Sequence, residues 1–168
     1  MKYLVGLSLV AILSVACSGQ SKEATVEATP AVTSLWSTDF VAASAKAKAE
    51  HKYMLLDFSG SDWCGWCIKL DKEVFSKKEF QDFAVKNLVL VMLDFPRRTP
   101  QPATVKAQNE RLSRQYGVEG FPTVLILNPE GNLVEQTGYR AGGAAAYVAY
   151  LGSVLANDQK KALAPATK

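Results

Sequence analysis

A chain of 168 residues, 48% hydrophobic and 21% charged, has room for one ordinary domain plus extensions and the composition of a soluble globular protein. A domain of this size buries a real core without disulfide staples. The formal net charge of +3, from 19 basic and 16 acidic side chains spread along the chain, excludes the concentrated basic stripe that nucleic acid requires.

Residues 1–16 read as a secretory signal peptide. Lys2 precedes an apolar run from Tyr3 to Val15 that is too short for a comfortable membrane span, and small residues lead up to Cys17. Two processing outcomes fit. Ser14-Val15-Ala16 suits ordinary signal peptidase, whereas Cys17 followed by SGQSKEATVEATP resembles the start of a bacterial lipoprotein, with Ser14 where that motif usually carries leucine. A lone cysteine at a cleavage site would otherwise leave an odd exported thiol, so Cys17 is the candidate lipidation site and the expected membrane contact. Either route delivers the protein to the bacterial periplasm or cell envelope, where disulfide chemistry operates. Residues 17–34 are rich in Ser, Thr, Ala and Glu and read as a flexible tether. Residues 35–157 form the expected domain, and 158–168 a flexible tail.

Inside the domain the hydrophobic period alternates. Thr38 is placed to cap a helix over DFVAASAKAKAEH, and KYMLLDFS is a short apolar run of the buried-strand kind. A helix begins at the cysteines of SDWCGWCIK. Ser76 and Glu79 have capping-box spacing for KKEFQDFAVKN, whose Phe80, Phe83 and Ala84 share a face. LVLVMLDF is a second buried strand, followed by the proline-rich loop PRRTPQPAT and by an amphipathic helix, VKAQNERLSRQYG, stopped at Gly117. PTVLILN and LVEQTGY flank a PEG turn as a hairpin. In AAAYVAYLGSVLA, Tyr147, Leu151 and Leu155 are spaced to face a sheet. The order α-β-α-β-α-β-β-α predicts an α/β fold, a central mixed sheet covered by helices on both faces.

Cys64 and Cys67 carry the chemistry. A c-type haem attachment needs His after the second cysteine, where Ile68 stands. Zinc needs four ligands, and beyond the pair the chain offers only Cys17 and His51, so no metal is expected. His51 follows a Lys- and Ala-rich helix, the setting of a solvent-exposed side chain. A purely structural disulfide across two residues removes little chain entropy. A redox pair has a mechanism. At a helix start Cys64 meets unpaired backbone N–H groups and the positive end of the helix dipole, a setting that lowers a thiol pKa from about 8.5 towards roughly 3.5–7.5. Cys67 lies one turn further on, so the first thiol attacks and the second resolves. Trp63 and Trp66 supply apolar walls for a substrate, with ordinary packing as their alternative role.

YMLLDFSGSDWCGWCIKL resembles the active-site strand, turn and helix of the thioredoxin superfamily, and YGVEGFPTVLILNPEGNLVEQTGY resembles its later segment. The resemblance runs from Leu35 to Leu155 and is nearest to exported proteins with DWCxWC sites and to the soluble thiol domains of periplasmic disulfide reductases. It implies a thioredoxin-like fold and a thiol–disulfide oxidoreductase, reductase or isomerase rather than oxidant. Cys64 would be the nucleophile and Cys67 the resolving thiol, with no cofactor beyond that pair. Pro122 matches the cis-proline that keeps backbone groups free to pair with an extended substrate, and Phe121 would touch that substrate. Asp57 matches the buried acid beneath the pair, a proton acceptor for Cys67; as a plain strand-end carboxylate it would instead face water. Lys69 stands where many relatives have a basic side chain. Trp66 replaces the usual proline, and one extra residue lies between Asp57 and Cys64. Implied partners are cysteine-containing exported proteins and a membrane electron donor or acceptor. The competing classes are a chaperone-like binding module and a structural envelope lipoprotein.

Overall fold

The computed structural model of the protein describes residues 34–164, so the signal-peptide, tether and Cys17 readings lie outside the described residues, Ser34 apart. Five strands form one sheet in the order β1-β3-β2-β4-β5: β1 (Trp36–Ser37), β2 (Tyr53–Ser59), β3 (Leu88–Asp94), β4 (Thr123–Leu127) and β5 (Leu133–Thr137). β3 runs parallel to both β1 and β2, while β4 is antiparallel to β2 and β5. The sheet is therefore mixed, as the element order predicts.

β2 lies in the middle, and all seven of its residues are buried. A strand covered on both faces reads as an unbroken apolar run, and only Asp57 and Ser59 interrupt this one. Its side chains alternate between two cores. Tyr53 and Leu55 join Leu90, Val124 and Ile126 against α2 (Gly65–Leu70), α3 (Lys78–Asn87) and α5 (Gly143–Leu163). Met54, Leu56 and Phe58 join Val91, Leu93 and Leu125 against α1 (Phe40–Glu50) and α4 (Ala103–Gln115). Asp57 shares the face of Leu55 and so points towards α2 and α5.

Local capping departs from the sequence reading at two places. Asp39, not Thr38, caps α1, its carboxylate accepting the Ala42 N–H at 3.0 Å. A carboxylate also favours the positive helix end, so it outcompetes the neighbouring hydroxyl. Ser76 donates its hydroxyl to Asp71 at 3.0 Å and makes no capping box; Lys77 takes the cap position of α3 without a side-chain bond. A π-turn, Asp71–Phe75, joins α2 to α3. The last helix runs to Leu163, six residues beyond the expected domain end at Asn157, through the good helix formers of DQKKAL. Tyr53 ties this extension to the sheet by donating its hydroxyl to Asp158 at 2.9 Å. His51 is exposed in left-handed backbone (φ 51°), closing α1 through its N–H.

Candidate active site

β2 ends at Ser59, and residues 60–63 turn the chain into α2, whose N-cap is Cys64. The turn requires glycine at position 60: a Cβ there would lie 2.5 Å from Cε2 of Trp63. The Cys64 N–H donates to the Gly60 carbonyl at 2.8 Å. In return the Cys64 sulfur accepts the N–H of Cys67 at 3.2 Å. A backbone donor aimed at this sulfur would stabilise the thiolate once the pair is reduced. Here the two sulfurs form a disulfide with Cα atoms 5.2 Å apart. Cys64 is 7% exposed and Cys67 4%, so the outer thiol exceeds the inner one in exposure only narrowly.

Asp57 is 3% exposed, which excludes a water-facing carboxylate at the strand end. Its Oδ1 has no hydrogen-bond partner. Burial, aided by the like charges of Asp71 and Asp94, pushes its pKa up to about 8. A buried acid poised near neutral pH on the sheet face covered by α2 suits proton exchange with a thiol. Tyr147, whose hydroxyl donates to the Gly138 carbonyl at 3.1 Å, is raised by burial and then by the charge of Asp57.

The structure brings Trp63 and Phe121 together, ring centroids 5.9 Å apart, with Phe95 stacked on Phe121 at 5.0 Å. Trp63 is also held through its indole N–H, which donates to the Phe95 carbonyl at 2.7 Å, so it acts as a fixed wall. Pro122 follows Phe121 through a cis peptide bond and leads directly into β4, whose Thr123 pairs with Phe58 of β2. The cis-proline turn thus lies at the end of β2 that leads to the cysteines. Gly138 passes over this turn so closely that a Cβ would sit 2.8 Å from the Pro122 carbonyl oxygen. On the other side Trp66 is 57% exposed and leans on Tyr139 at 5.1 Å. Lys69 sits 5.0 Å from both of those rings, and Tyr139 donates to Glu73 at 2.7 Å.

Sequence reasoning missed Asp62 and Arg97. The carboxylate of Asp62 accepts the backbone N–H groups of Arg97, Arg98 and Thr99 at 2.8–2.9 Å. The Arg97 N–H above all, with those of Arg98 and Thr99, holds its pKa down to about 2 against a smaller opposing effect of desolvation. Arg97 lies over the Trp63 ring at 3.6 Å. Next to this clamp, Asp94 accepts the N–H and hydroxyl of Ser61 at 2.9 and 2.6 Å. The signal open to sequence reading was the extra residue between Asp57 and Cys64, in the turn that carries Asp62. The parallel register of Ser59 with Asp94 brings the two loops side by side.

A groove of about 660 Å³ between α1, α3 and β3, lined by Trp36, Ala43, Lys46, Ala84, Val85 and Leu88, includes neither cysteine. Among the described residues no group of three or more His, Cys, Asp or Glu side chains is arranged to hold a metal. No described helix is long and apolar enough to cross a membrane.

Residues 40–154 match the family described as thioredoxin-like domain. Over 109 residues the chain is 40% identical to the disulfide bond reductase DsbH of Chlamydia pneumoniae, covering 65% of this chain and 66% of that one. Over 110 residues it is 34% identical to the thiol:disulfide interchange protein DsbD of Klebsiella pneumoniae, covering 64% of this chain but 17% of that one. The chain thus spans less than two thirds of these curated relatives. A solved structure of a DsbH oxidoreductase superposes with a TM-score of 0.68 at 38% identity, covering 71% of this chain and 83% of the other.

Proposed function

Because the chain belongs to the thioredoxin-like domain family, we propose that it is an exported thiol–disulfide oxidoreductase that acts on cysteines of other envelope proteins. The observation that carries this reading is the Cys64–Cys67 disulfide at a helix N-terminus, on the sheet face that also holds a buried carboxyl, Asp57, whose Oδ1 has no hydrogen-bond partner. In the reducing direction Cys64 thiolate attacks one sulfur of a substrate disulfide. One S–S bond breaks, a mixed disulfide forms, and a substrate thiolate leaves. Asp57 takes the proton of Cys67, whose thiolate attacks Cys64 and releases the second substrate thiol. Two electrons have then passed to the substrate, and the pair is oxidised.

Pro122 and Phe121 line the place where an extended substrate segment would pair, with Trp63 and Trp66 as its walls. Similarity to a relative named a disulfide bond reductase supports reduction or isomerisation over oxidation. A reductase needs re-reduction, so a membrane electron donor is the expected second partner. Cys17, Lys2 and the apolar run after it support export and a lipid anchor. The reactive pair is the argument against a binding module or a structural spacer, neither of which needs two thiols.

The test is covalent trapping. Cys67→Ser keeps the attacking thiol and removes the escape route, so reducible adducts with envelope proteins should accumulate on non-reducing gels. Cys64→Ser should trap few. Absence of adducts with Cys67→Ser overturns the reading, and equal trapping by both variants would show that the roles of the two cysteines are misassigned.

A further inference from the structure

Trp63 directly precedes Cys64, and the Arg97 guanidinium sits 3.6 Å from its ring centre. Arg97 is held there from behind, because its own N–H is bound at 2.9 Å to Asp62, the residue before that tryptophan. The nearby carboxylates are already engaged. Asp62 is occupied by three backbone N–H groups and the Thr99 hydroxyl, and Asp94 by Ser61. Among the described residues neither Arg97 nor Arg98 forms an ion pair, and both are exposed. On the opposite wall Lys69 lies against Trp66 but has Glu73 at 3.9 Å. Glu119 is an exposed acid in the loop before Phe121. The Trp63 wall therefore presents two exposed guanidiniums that pair directly with no carboxylate, while Asp62 and Asp94 keep their own negative charge nearby. A guanidinium resting on an aromatic ring still offers N–H donors in the fork that suits a carboxylate.

We infer that Arg97, reinforced by Arg98, is a specificity-determining residue that favours substrate disulfides flanked by Asp or Glu. The inference rests on the oxidoreductase reading above and adds the class of substrate segment. An acidic segment seated on Arg97 places its cysteine next to Trp63, beside the attacking sulfur. The chemistry is unchanged: the dithiol gives two electrons, one substrate S–S bond breaks, and the Cys64–Cys67 bond forms.

The experiment uses the full chain, reduced and then freed of reductant, against two fluorescence-quenched peptide disulfides. The peptides are identical except that one has Asp and Glu beside its cysteines and the other Asn and Gln. At low salt the acidic peptide should react about fivefold faster, the scale of one exposed charge pair. The ratio should fall towards one as salt shortens the screening length. Arg97→Gln should bring the ratio near one at low salt, and Arg97→Lys should restore part of it. A wild-type ratio of one, a preference that survives high salt, or an unchanged ratio in Arg97→Gln each overturns the inference. The salt series needs no variant, so it decides the matter even if Arg97→Gln folds poorly. Failure of the wild-type chain to reduce either peptide would sink the oxidoreductase reading itself, a result distinct from equal rates.

Discussion

The carboxyl of Asp57 is 3% exposed, one of its oxygens lacks a donor, and burial raises its pKa to about 8. An unfolded aspartate titrates at about 3.9. Between those values the native state binds more protons than the unfolded state, so stability is fully present below about pH 4 and falls as pH rises towards 8. Over that range the loss is on the order of several kcal/mol. Asp57→Asn removes the titration. The variant should gain thermal stability relative to wild type at pH 8–9, and the gap should shrink towards pH 4. A gap that stays constant with pH would refute the raised pKa. On the proposed role of Asp57 as proton acceptor for Cys67, the same substitution should slow disulfide exchange near neutral pH. The sequence left Asp57 open between a buried acid and a water-facing strand end. Burial by α2 and α5, which no local pattern reports, chose the first.

At the scale of elements, the turn 60–63 and the loop after β3 hold each other. Asp62 binds three successive N–H groups of the loop, and Trp63 reaches the Phe95 carbonyl. The pKa of Asp62 is depressed to about 2, so its contribution is present above the unfolded value of about 4 and is lost as pH falls through about 2. Asp62→Ala should release the loop without unfolding the domain. Trypsin should then cut after Arg97 or Arg98 several-fold faster, while the far-ultraviolet circular dichroism stays the same. Unchanged cleavage would show that the loop is held without Asp62, by its prolines and the Trp63–Phe95 bond. That segment was legible as rigid and proline-rich, but its anchor was not, because Asp62 and Arg97 are 35 positions apart in the chain.

For the molecule as a whole, β2 carries both cores and α5 closes one of them. Tyr53 at the start of β2 donates to Asp158, past the point where the sequence reading ended the domain. Tyr53→Phe should cost about 1 kcal/mol in urea unfolding. A chain ending at Asn157 should lose at least as much. The two changes together should cost less than their sum, because both remove the same bond. An unchanged midpoint for the shortened chain would return residues 158–163 to a dispensable tail.

By itself the sequence determined four of the five strands of the mixed sheet, the two-residue β1 being too short to show a pattern, along with the helix periods that cover the sheet and the cysteine pair with its aromatic neighbours. Each of these rests on a pattern a few residues long, namely unbroken apolar runs, 3.6-residue spacing and CxxC. Local competition between neighbouring polar side chains settled the caps, and tertiary structure alone decided which polar groups clamp or titrate. Asp39 took the cap from Thr38, and Ser76 turned to Asp71 instead of capping α3. Asp57 stayed buried with an orphaned oxygen, and Asp62 brought Arg97 onto Trp63. The reason is one of range: helix and strand preferences act within about one turn, whereas the charge of a carboxyl depends on what the finished fold places around it.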